Sequence, residues 1–234
     1  MKILSHSAIE MYENCPKNYN HSYNLRDIPK VELESSKWGK RVHDQIMGVV
    51  KRSAKFGFRP EFINGDLEQY RQWIEIVCRL PGKIFVEEQF GIDAECEPSP
   101  FFDLKTVFRM VADVVVVDHL NKFVCVIDWK TGKRRETFSQ LDRYAMVLSR
   151  YYPGYQVAGI FIWLKDGSKT SKIYNGDEIL AILQEEAALR ERVVHATQFP
   201  PKPSPLCGWC SVNYAGKCEF AERKWSGGAV TVRG

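Results

Sequence analysis

Asp128 and Lys130 are the residues in this chain of 234 amino acids whose types and spacing most directly suggest chemistry. They end an apolar run, Phe123–Lys130, that is typical of a strand. Alternate strand residues share a face, so this carboxylate and amine lie beside Val124 and Val126 and are costly to bury unpaired. A divalent metal beside a phosphate would use both groups. The alternative is an ion pair at the edge of a sheet.

Acidic and basic residues close to this pair strengthen the chemical interpretation. Asp113 lies on the preceding apolar run, which predicts a neighbouring strand, and can point at the same spot. Thr131 and Gly132 predict an abrupt turn at the strand end. The basic residues Lys133, Arg134 and Arg135 follow and could track phosphates. Taken alone, these three residues favour a solvated surface.

Two helices carry further candidate residues, each with a structural alternative. His43 follows Gly39 by one helical turn, so a ligand could approach the histidine, although a lone histidine is more often a packing residue. Gln140 and Tyr144 are one turn apart on a helix that begins near Thr137. Gln140 also fits the third position of a capping box begun by Thr137, and Tyr144 also fits a core stripe.

The elements that must position these residues alternate between helices and strands. Helical periodicity or apolar runs predict helices over 5–14, 36–54, 66–80, 137–151 and 177–198, and strands over 83–92, 108–117, 123–130, 156–164 and 169–174, with a turn over 118–122. The strand over 83–92 carries Glu87 and Glu88, either of which could add a carboxylate to the site. The pattern predicts an α/β fold with a mixed central sheet flanked by helices.

The cysteines form a second pattern. Cys207 and Cys210 have the C-x-x-C spacing of metal ligands, and Cys218 follows after seven residues. Cys15 is the candidate for a fourth ligand, which requires a fold that brings the two ends of the chain together. Three others lie in apolar contexts and are interpreted as packing thiols: Cys78, Cys96 and Cys125.

Composition narrows the class of protein only slightly. The chain is 44% hydrophobic and 26% charged, which excludes a disordered class, and its net charge of +4 weakly favours an anionic partner. The N-terminal residues lack the apolar segment of a signal peptide, and no stretch has the length of a membrane span. We therefore expect a cytoplasmic protein with no membrane partner, in which cysteines stay reduced.

The order of these motifs resembles a known family. Gly39-x-x-x-His43, Asp113, Asp128-x-Lys130 and Gln140-x-x-x-Tyr144 together look like the signature of the RecB-type branch of the PD-(D/E)xK nucleases. The resemblance extends from about Ser5 to Phe220, including a Cys15-Pro16 segment, and Ala112 replaces the usual proline before the first aspartate. It implies a restriction-endonuclease-like core.

The resemblance also implies roles for individual residues. His43, Asp113, Asp128 and the Trp129 carbonyl would bind Mg²⁺ or Mn²⁺. Lys130 would orient the attacking water or stabilise charge on the phosphate, and Gln140 and Tyr144 would support the site and touch the substrate strand. Some relatives of this type hold a [4Fe–4S] cluster, which implies that role for Cys15, Cys207, Cys210 and Cys218, with a Cys₄ zinc site as the alternative.

The function implied is a metal-dependent DNA exonuclease acting on single strands or DNA ends. Recombination, repair or CRISPR spacer processing in a phage or prokaryote fits such an enzyme, with protein partners from a recombination or CRISPR adaptation complex. The alternative is a catalytically weak DNA-binding or scaffolding subunit with a structural zinc or iron–sulfur site. The predicted segments are 1–35 (N-terminal helix and cluster ligand), 36–198 (nuclease core), 199–225 (cysteine cluster) and 226–234 (flexible tail).

Overall fold

A computed structural model of the protein describes residues 2–220 and 230–233. The strands are β1 Leu4–Ser5, β2 Lys30–Leu33, β3 Lys83–Ile92, β4 Pro98–Ser99, β5 Phe108–Asp118, β6 Phe123–Lys130, β7 Gln156–Trp163, β8 Ser168–Tyr174 and β9 Val230–Arg233. The α-helices are α1 His6–Asn14, α2 Pro16–Tyr19, α3 Glu34–Phe56, α4 Arg71–Cys78, α5 Ser139–Tyr151, α6 Gly176–Val194 and α7 Ser211–Tyr214. The chain divides into two compact units. One is formed mainly by residues 39–187, and the other by residues 4–38 with the described residues from 188 onward.

The unit of residues 39–187 contains a mixed sheet flanked by helices, as the sequence predicts. Its strands pair in the order β4-β3-β5-β6-β7-β8. The β6–β7 pair is parallel and the remaining pairs along this path are antiparallel. Because parallel neighbours need a crossover connection, α5 lies between β6 and β7 in the chain. The ends of these two parallel strands therefore meet the start of α5.

The alternation of β6 is confirmed by the cores on its two sides. Cys125, Ile127 and Trp129 are buried in one hydrophobic cluster with the apolar stripe of α3 and with α4. On α5, Leu141 approaches the sheet so closely that a Cβ on Gly159 of β7 would stand 3.1 Å from the Leu141 side chain. This close packing brings the polar residues at the start of α5 to the end of β6.

The β3–β5 ladder is interrupted at one position. Val86 pairs with Val114 and Glu88 pairs with Ala112, whereas the residues between them, Glu87 and Asp113, form no pair with each other. Glu87 has a φ of 54°, which is uncommon for a residue with a side chain. Its carboxylate forms an ion pair with Lys51 of α3. Asp113 therefore stands at a break in the backbone pairing of β5 with β3.

The second unit combines both ends of the chain. Helix α1 begins after Ser5, whose hydroxyl accepts a hydrogen bond from the Ala8 N–H (3.3 Å), and ends at Cys15 before Pro16. Strands β2 and β9 pair antiparallel. A 3₁₀ turn over Pro205–Trp209 and helix α7 carry the C-terminal cysteines. Of the predicted tail over 226–234, residues 226–229 and 234 lie outside the described residues.

Candidate active site

The carboxylate of Asp128 is buried at the end of β6 and is held by three side chains. Its side chain accepts hydrogen bonds from Lys130 Nζ (2.8 Å to Oδ1 and 3.0 Å to Oδ2) and from Gln140 Nε2 (2.7 Å). The Tyr144 hydroxyl lies 3.2 Å away. Asp128 is only 4% exposed, and burial raises its pKa to about 6 against the attraction of Lys130, with Asp113 adding to the rise. The strand thus buries the pair of charges together, which offsets part of the desolvation cost.

Gln140 is the centre of this network. Its Oε1 accepts a hydrogen bond from Lys130 Nζ (2.7 Å), and its Nε2 also donates to the Tyr144 hydroxyl (2.8 Å). The capping box predicted from Thr137 is wrong, because Phe138 precedes the helix and makes no side-chain cap. Gln140 turns towards β6 instead of capping its own helix. The Gln140 side chain could either cap its own helix or bond to the buried charges of β6. It bonds to Lys130 and Asp128.

Tyr144 extends the network to the neighbouring strand. Its hydroxyl lies 3.3 Å from the carbonyl oxygen of Val111 on β5 as well as close to Asp128. Burial raises the pKa of Tyr144 well above its usual range, so the hydroxyl remains a hydrogen-bond donor. Tyr144 therefore links α5, β5 and β6.

His43 and Asp113 meet next to this network. His43 Nε2 lies 3.0 Å from Asp113 Oδ1, and Asp113 Oδ2 accepts a hydrogen bond from the backbone N–H of Trp129 (3.0 Å). The hydrogen bond to Asp113 raises the pKa of His43 to about 9. These contacts join α3, β5 and β6, so the predicted residues of three elements converge.

Two further contacts of this site join residues that are far apart in the sequence. Lys130 Nζ stands 4.8 Å from the ring centre of Phe161, which pairs with Asp128 across the parallel β6–β7 ladder. Gly39 is buried against Thr131, and a Cβ on Gly39 would stand 2.6 Å from the Thr131 hydroxyl oxygen. The glycine lets the start of α3 approach the turn after Lys130. The Lys130–Phe161 contact depends on a long-range strand pairing and has no local sequence signal. The Gly39–Thr131 contact has one, namely the glycine one turn before His43.

The basic residues after β6 lie on the surface. Lys133, Arg134 and Arg135 are exposed on the segment that connects β6 to α5. Of the two glutamates on β3, Glu87 is paired with Lys51 and Glu88 is exposed.

In the second unit, the four cysteines that are predicted to bind a metal line one cavity. A cavity of about 340 Å³ is lined by Cys15 from the N-terminal segment and by Cys207, Cys210 and Cys218. Burial, with smaller effects of Cys15 and Cys207, raises the pKa of Cys210. Elsewhere, burial raises the pKa of Cys125 to about 12 and raises that of Cys78, as expected for packing thiols.

The donor atoms present fit two different kinds of metal. In the described part of the chain, no three His, Cys, Asp or Glu side chains are already drawn together as a metal-binding group. The carboxylates of Asp113 and Asp128 with the His43 imidazole are the ligands that suit Mg²⁺ or Mn²⁺. The thiols that line the cavity suit zinc or an iron–sulfur cluster.

Comparison with known proteins places this geometry in a class. Residues 3–215 match the family described as the PD-(D/E)XK nuclease superfamily, so the chain belongs to that superfamily. Membership implies a nuclease, with DNA as substrate and a divalent cation, generally Mg²⁺ or Mn²⁺, as cofactor.

Individual relatives are distant. The chain is similar to a solved structure titled "Crystal structure of SSO0001", with 12% identity, a TM-score of 0.45 and coverage of 95% of this chain and 88% of that one. No curated protein matches it. Within residues 2–220 and 230–233, no helix is long and apolar enough to cross a bilayer.

Proposed function

We propose that this protein is a RecB-type nuclease that hydrolyses DNA phosphodiester bonds as an exonuclease on single strands or ends. The observation that carries the proposal is the buried Asp128–Lys130–Gln140–Tyr144 network, beside which His43 and Asp113 meet. The preference for exonuclease action, and a setting in recombination, repair or CRISPR spacer processing, rest on the motif resemblance.

The residues of this site divide the work between metal binding and charge stabilisation. Asp113, Asp128, His43 and the Trp129 carbonyl would hold Mg²⁺ or Mn²⁺. When bound, such an ion lowers the pKa of a coordinated water and offsets charge that develops on the phosphate. Lys130 carries the positive charge that would orient water or stabilise the phosphate oxygens.

The remaining polar residues hold these groups in place. Gln140 bonds to both Lys130 and Asp128 through one amide, which fixes the distance between the ammonium and the carboxylate. The Tyr144 hydroxyl donates to Oδ2 of the same carboxylate, the oxygen that Gln140 also contacts. Partners of this kind typically change metal affinity or activity by about 10- to 100-fold when removed. Lys133, Arg134 and Arg135 would contact backbone phosphates near the site.

A cleavage assay tests the proposal. End-labelled single- and double-stranded DNA is incubated with Mg²⁺, Mn²⁺ or chelator, with wild type, Asp128→Ala and Lys130→Ala. We expect metal-dependent degradation that both substitutions reduce by roughly 100-fold or more, because metal binding and charge stabilisation fail. The exposed residues Asp177 and Lys55 supply matched controls, Asp177→Ala and Lys55→Ala.

The outcomes separate the alternatives. Equal cleavage by wild type and Asp128→Ala would contradict the proposed nuclease site. A wild-type chain that binds DNA and never cuts it would favour a scaffolding subunit. Products that shorten from an end support exonuclease action, whereas internal fragments from a circular single strand would contradict it.

For the cysteine cavity we favour a [4Fe–4S] cluster over zinc. The cavity lined by Cys15, Cys207, Cys210 and Cys218, which come from opposite ends of the chain, supports a metal centre of either kind, and the preference for a cluster rests on the motif resemblance. Protein purified without oxygen should be brown, absorb in the visible range and contain iron. A colourless protein with stoichiometric zinc would contradict the cluster and support the Cys₄ zinc site.

A further inference from the structure

The loop between β4 and β5 and the first residues of β5 present a cationic and aromatic surface that the site does not use. The guanidinium of Arg109 lies 5.1 Å from the ring centre of Phe101 and 5.4 Å from that of Phe102. The two rings are 5.0 Å apart and nearly perpendicular, at 77°. Phe102 is 76% exposed and Leu104, in the same loop, is 94% exposed. We call Phe101, Phe102 and Arg109 the Arg109 platform.

The platform has no evident structural purpose. The Nε of Arg109 is buried and has no hydrogen-bond partner, and no carboxylate among the described residues forms an ion pair with this side chain. Buried arginine nitrogens normally find a partner, and two neighbouring exposed apolar residues leave a surface that water solvates poorly. The partly exposed Arg109 and the largely exposed Phe102 ring remain accessible to a ligand.

The loop holds the platform rigidly. Thr106 Oγ1 donates a hydrogen bond to the Pro100 carbonyl (2.7 Å) and lies 2.7 Å from the Ser99 hydroxyl. Asp103 accepts a hydrogen bond from the Lys105 N–H (2.8 Å), so the acid of this loop is engaged in its own turn. A surface fixed in this way loses little conformational entropy when a ligand binds.

The platform lies on the side of β5 that carries Asp113. Phe108, Met110 and Ala112 are buried, whereas Arg109 and Asp113 are partly exposed and Val111 between them is 44% exposed. Alternate burial of this kind places Arg109, Val111 and Asp113 on one face. Asp113 follows Arg109 by four positions, which corresponds to about 14 Å along a strand. An open strip of sheet therefore leads from the platform to the candidate active site.

We infer that the Arg109 platform stacks bases of a single DNA strand whose backbone reaches the Asp113–Lys130 site, an inference that rests on the proposed nuclease function. Aromatic faces stack on any base, and arginine adds a cation–π contact and a charge for the phosphate. Lys105 adds a further exposed cation. Glu87, opposite Asp113, is neutralised by Lys51 and does not repel the strand. Bases in a duplex hide their faces, so the platform selects unpaired DNA.

Binding of labelled oligonucleotides tests the platform. Fluorescence anisotropy is measured in chelator, where no cleavage occurs, with single-stranded and blunt duplex DNA. We expect Phe102→Ala and Arg109→Gln to weaken single-strand binding by roughly 5- to 100-fold and duplex binding much less. Leu120→Ala is the matched control, because Leu120 is a 91% exposed apolar residue at the β5–β6 turn.

A second substrate separates this inference from the proposed function. The small phosphodiester bis(p-nitrophenyl) phosphate is too short to span about 14 Å, so Phe102→Ala should hydrolyse it at the wild-type rate. Wild type that cleaves neither substrate contradicts the nuclease function. Normal cleavage with unchanged single-strand affinity in Phe102→Ala overturns the platform alone. If the substitutions weaken single-stranded and duplex DNA binding equally, base stacking is overturned. It is also overturned if they abolish binding of another protein while DNA affinity is unchanged.

Discussion

At the scale of single residues, the site depends on a carboxylate that is costly to bury. Asp128 is 4% exposed and keeps its charge beside Lys130 and the Gln140 amide. Asp128, a metal ligand in the proposed function, therefore lowers the stability of the metal-free protein when the pH is above the pKa of its carboxyl group. Breaking the Asp128–Lys130 pair from one side leaves an uncompensated charge, so Asp128→Asn leaves Lys130 without its carboxylate at every pH.

The pH dependence of stability follows from the raised pKa of Asp128. Its folded pKa is about 6, above the unfolded value of 3.8, so its contribution to stability is present below pH 4 and is lost as pH rises through 6. Asp128→Asn cannot ionise and avoids that loss. In chelator, we expect the Tm of Asp128→Asn minus that of wild type to grow between pH 4 and pH 7.

Thermal unfolding at several pH values between 4 and 7 measures this difference. The window ends below the pKa of about 9 of His43, whose contribution is present below 6.5 and lost only as pH rises through 9. A Tm difference that stays constant across the window would show that burial does not raise the pKa of Asp128.

At the scale of elements, the site depends on how closely helices approach strand ends. Helix α3 reaches the turn after β6 because Gly39 leaves room for Thr131, and α5 reaches β7 because Gly159 leaves room for Leu141. In both places a missing Cβ sets the distance between a helix and the sheet. The helices then deliver His43 and Gln140 to groups on β5 and β6.

Gly39→Ala tests whether nuclease activity depends on the position of α3 independently of the stability of the helix. The added Cβ would stand 2.6 Å from the Thr131 hydroxyl oxygen, so the helix start or the threonine must move. Alanine favours the helix by about 1 kcal/mol relative to glycine. We therefore expect unchanged or higher Tm together with nuclease activity reduced roughly 10-fold, as for other supporting residues of metal sites.

The double variant Gly39→Ala/Thr131→Ala tests the steric cause. Removal of the Thr131 hydroxyl relieves the 2.6 Å contact and leaves only the Cβ, at 3.3 Å. Recovery of most of the activity in the double variant is expected, with Thr131→Ala alone close to wild type. No recovery would show that Gly39 serves some purpose other than close approach.

At the scale of the whole molecule, the two kinds of chemistry belong to different units. The candidate nuclease residues lie within residues 39–187, and the cysteines that line the cavity lie in the unit that combines both ends of the chain. A metal centre in that cavity would link segments far apart in sequence, so its binding free energy would contribute to folding.

Cys207→Ser should therefore affect stability more than catalysis. We expect Tm to fall by about 10 °C, or about 3 kcal/mol for a chain of this size, with the rate per folded molecule retained. Cys78→Ser is the control, because Cys78 is a half-buried thiol that does not line the cavity. A Cys207→Ser variant that keeps its metal content and Tm would contradict a structural role for the cavity.

Much of the fold was accessible from local sequence patterns. The apolar runs predict β5 and β6, their alternation places Cys125 and Ile127 on one core face, and helical periodicity predicts α5. These features depend on nearest neighbours and on a repeat of two or 3.6 residues, which a single sequence displays directly. The grouping of Asp113, Asp128 and Lys130 came instead from the family resemblance, and their roles stay predictions.

Other features depend on contacts between distant segments and carry no local signal. The parallel pairing of β6 with β7 places Phe161 beside Lys130, and the competition between a helix cap and buried charges turns Gln140 towards β6. The alignment of the Arg109 platform with Asp113 likewise requires the burial pattern of the assembled sheet. Periodicity determines which residues form a strand or a helix face, whereas long-range packing and charge burial determine which of those faces meet.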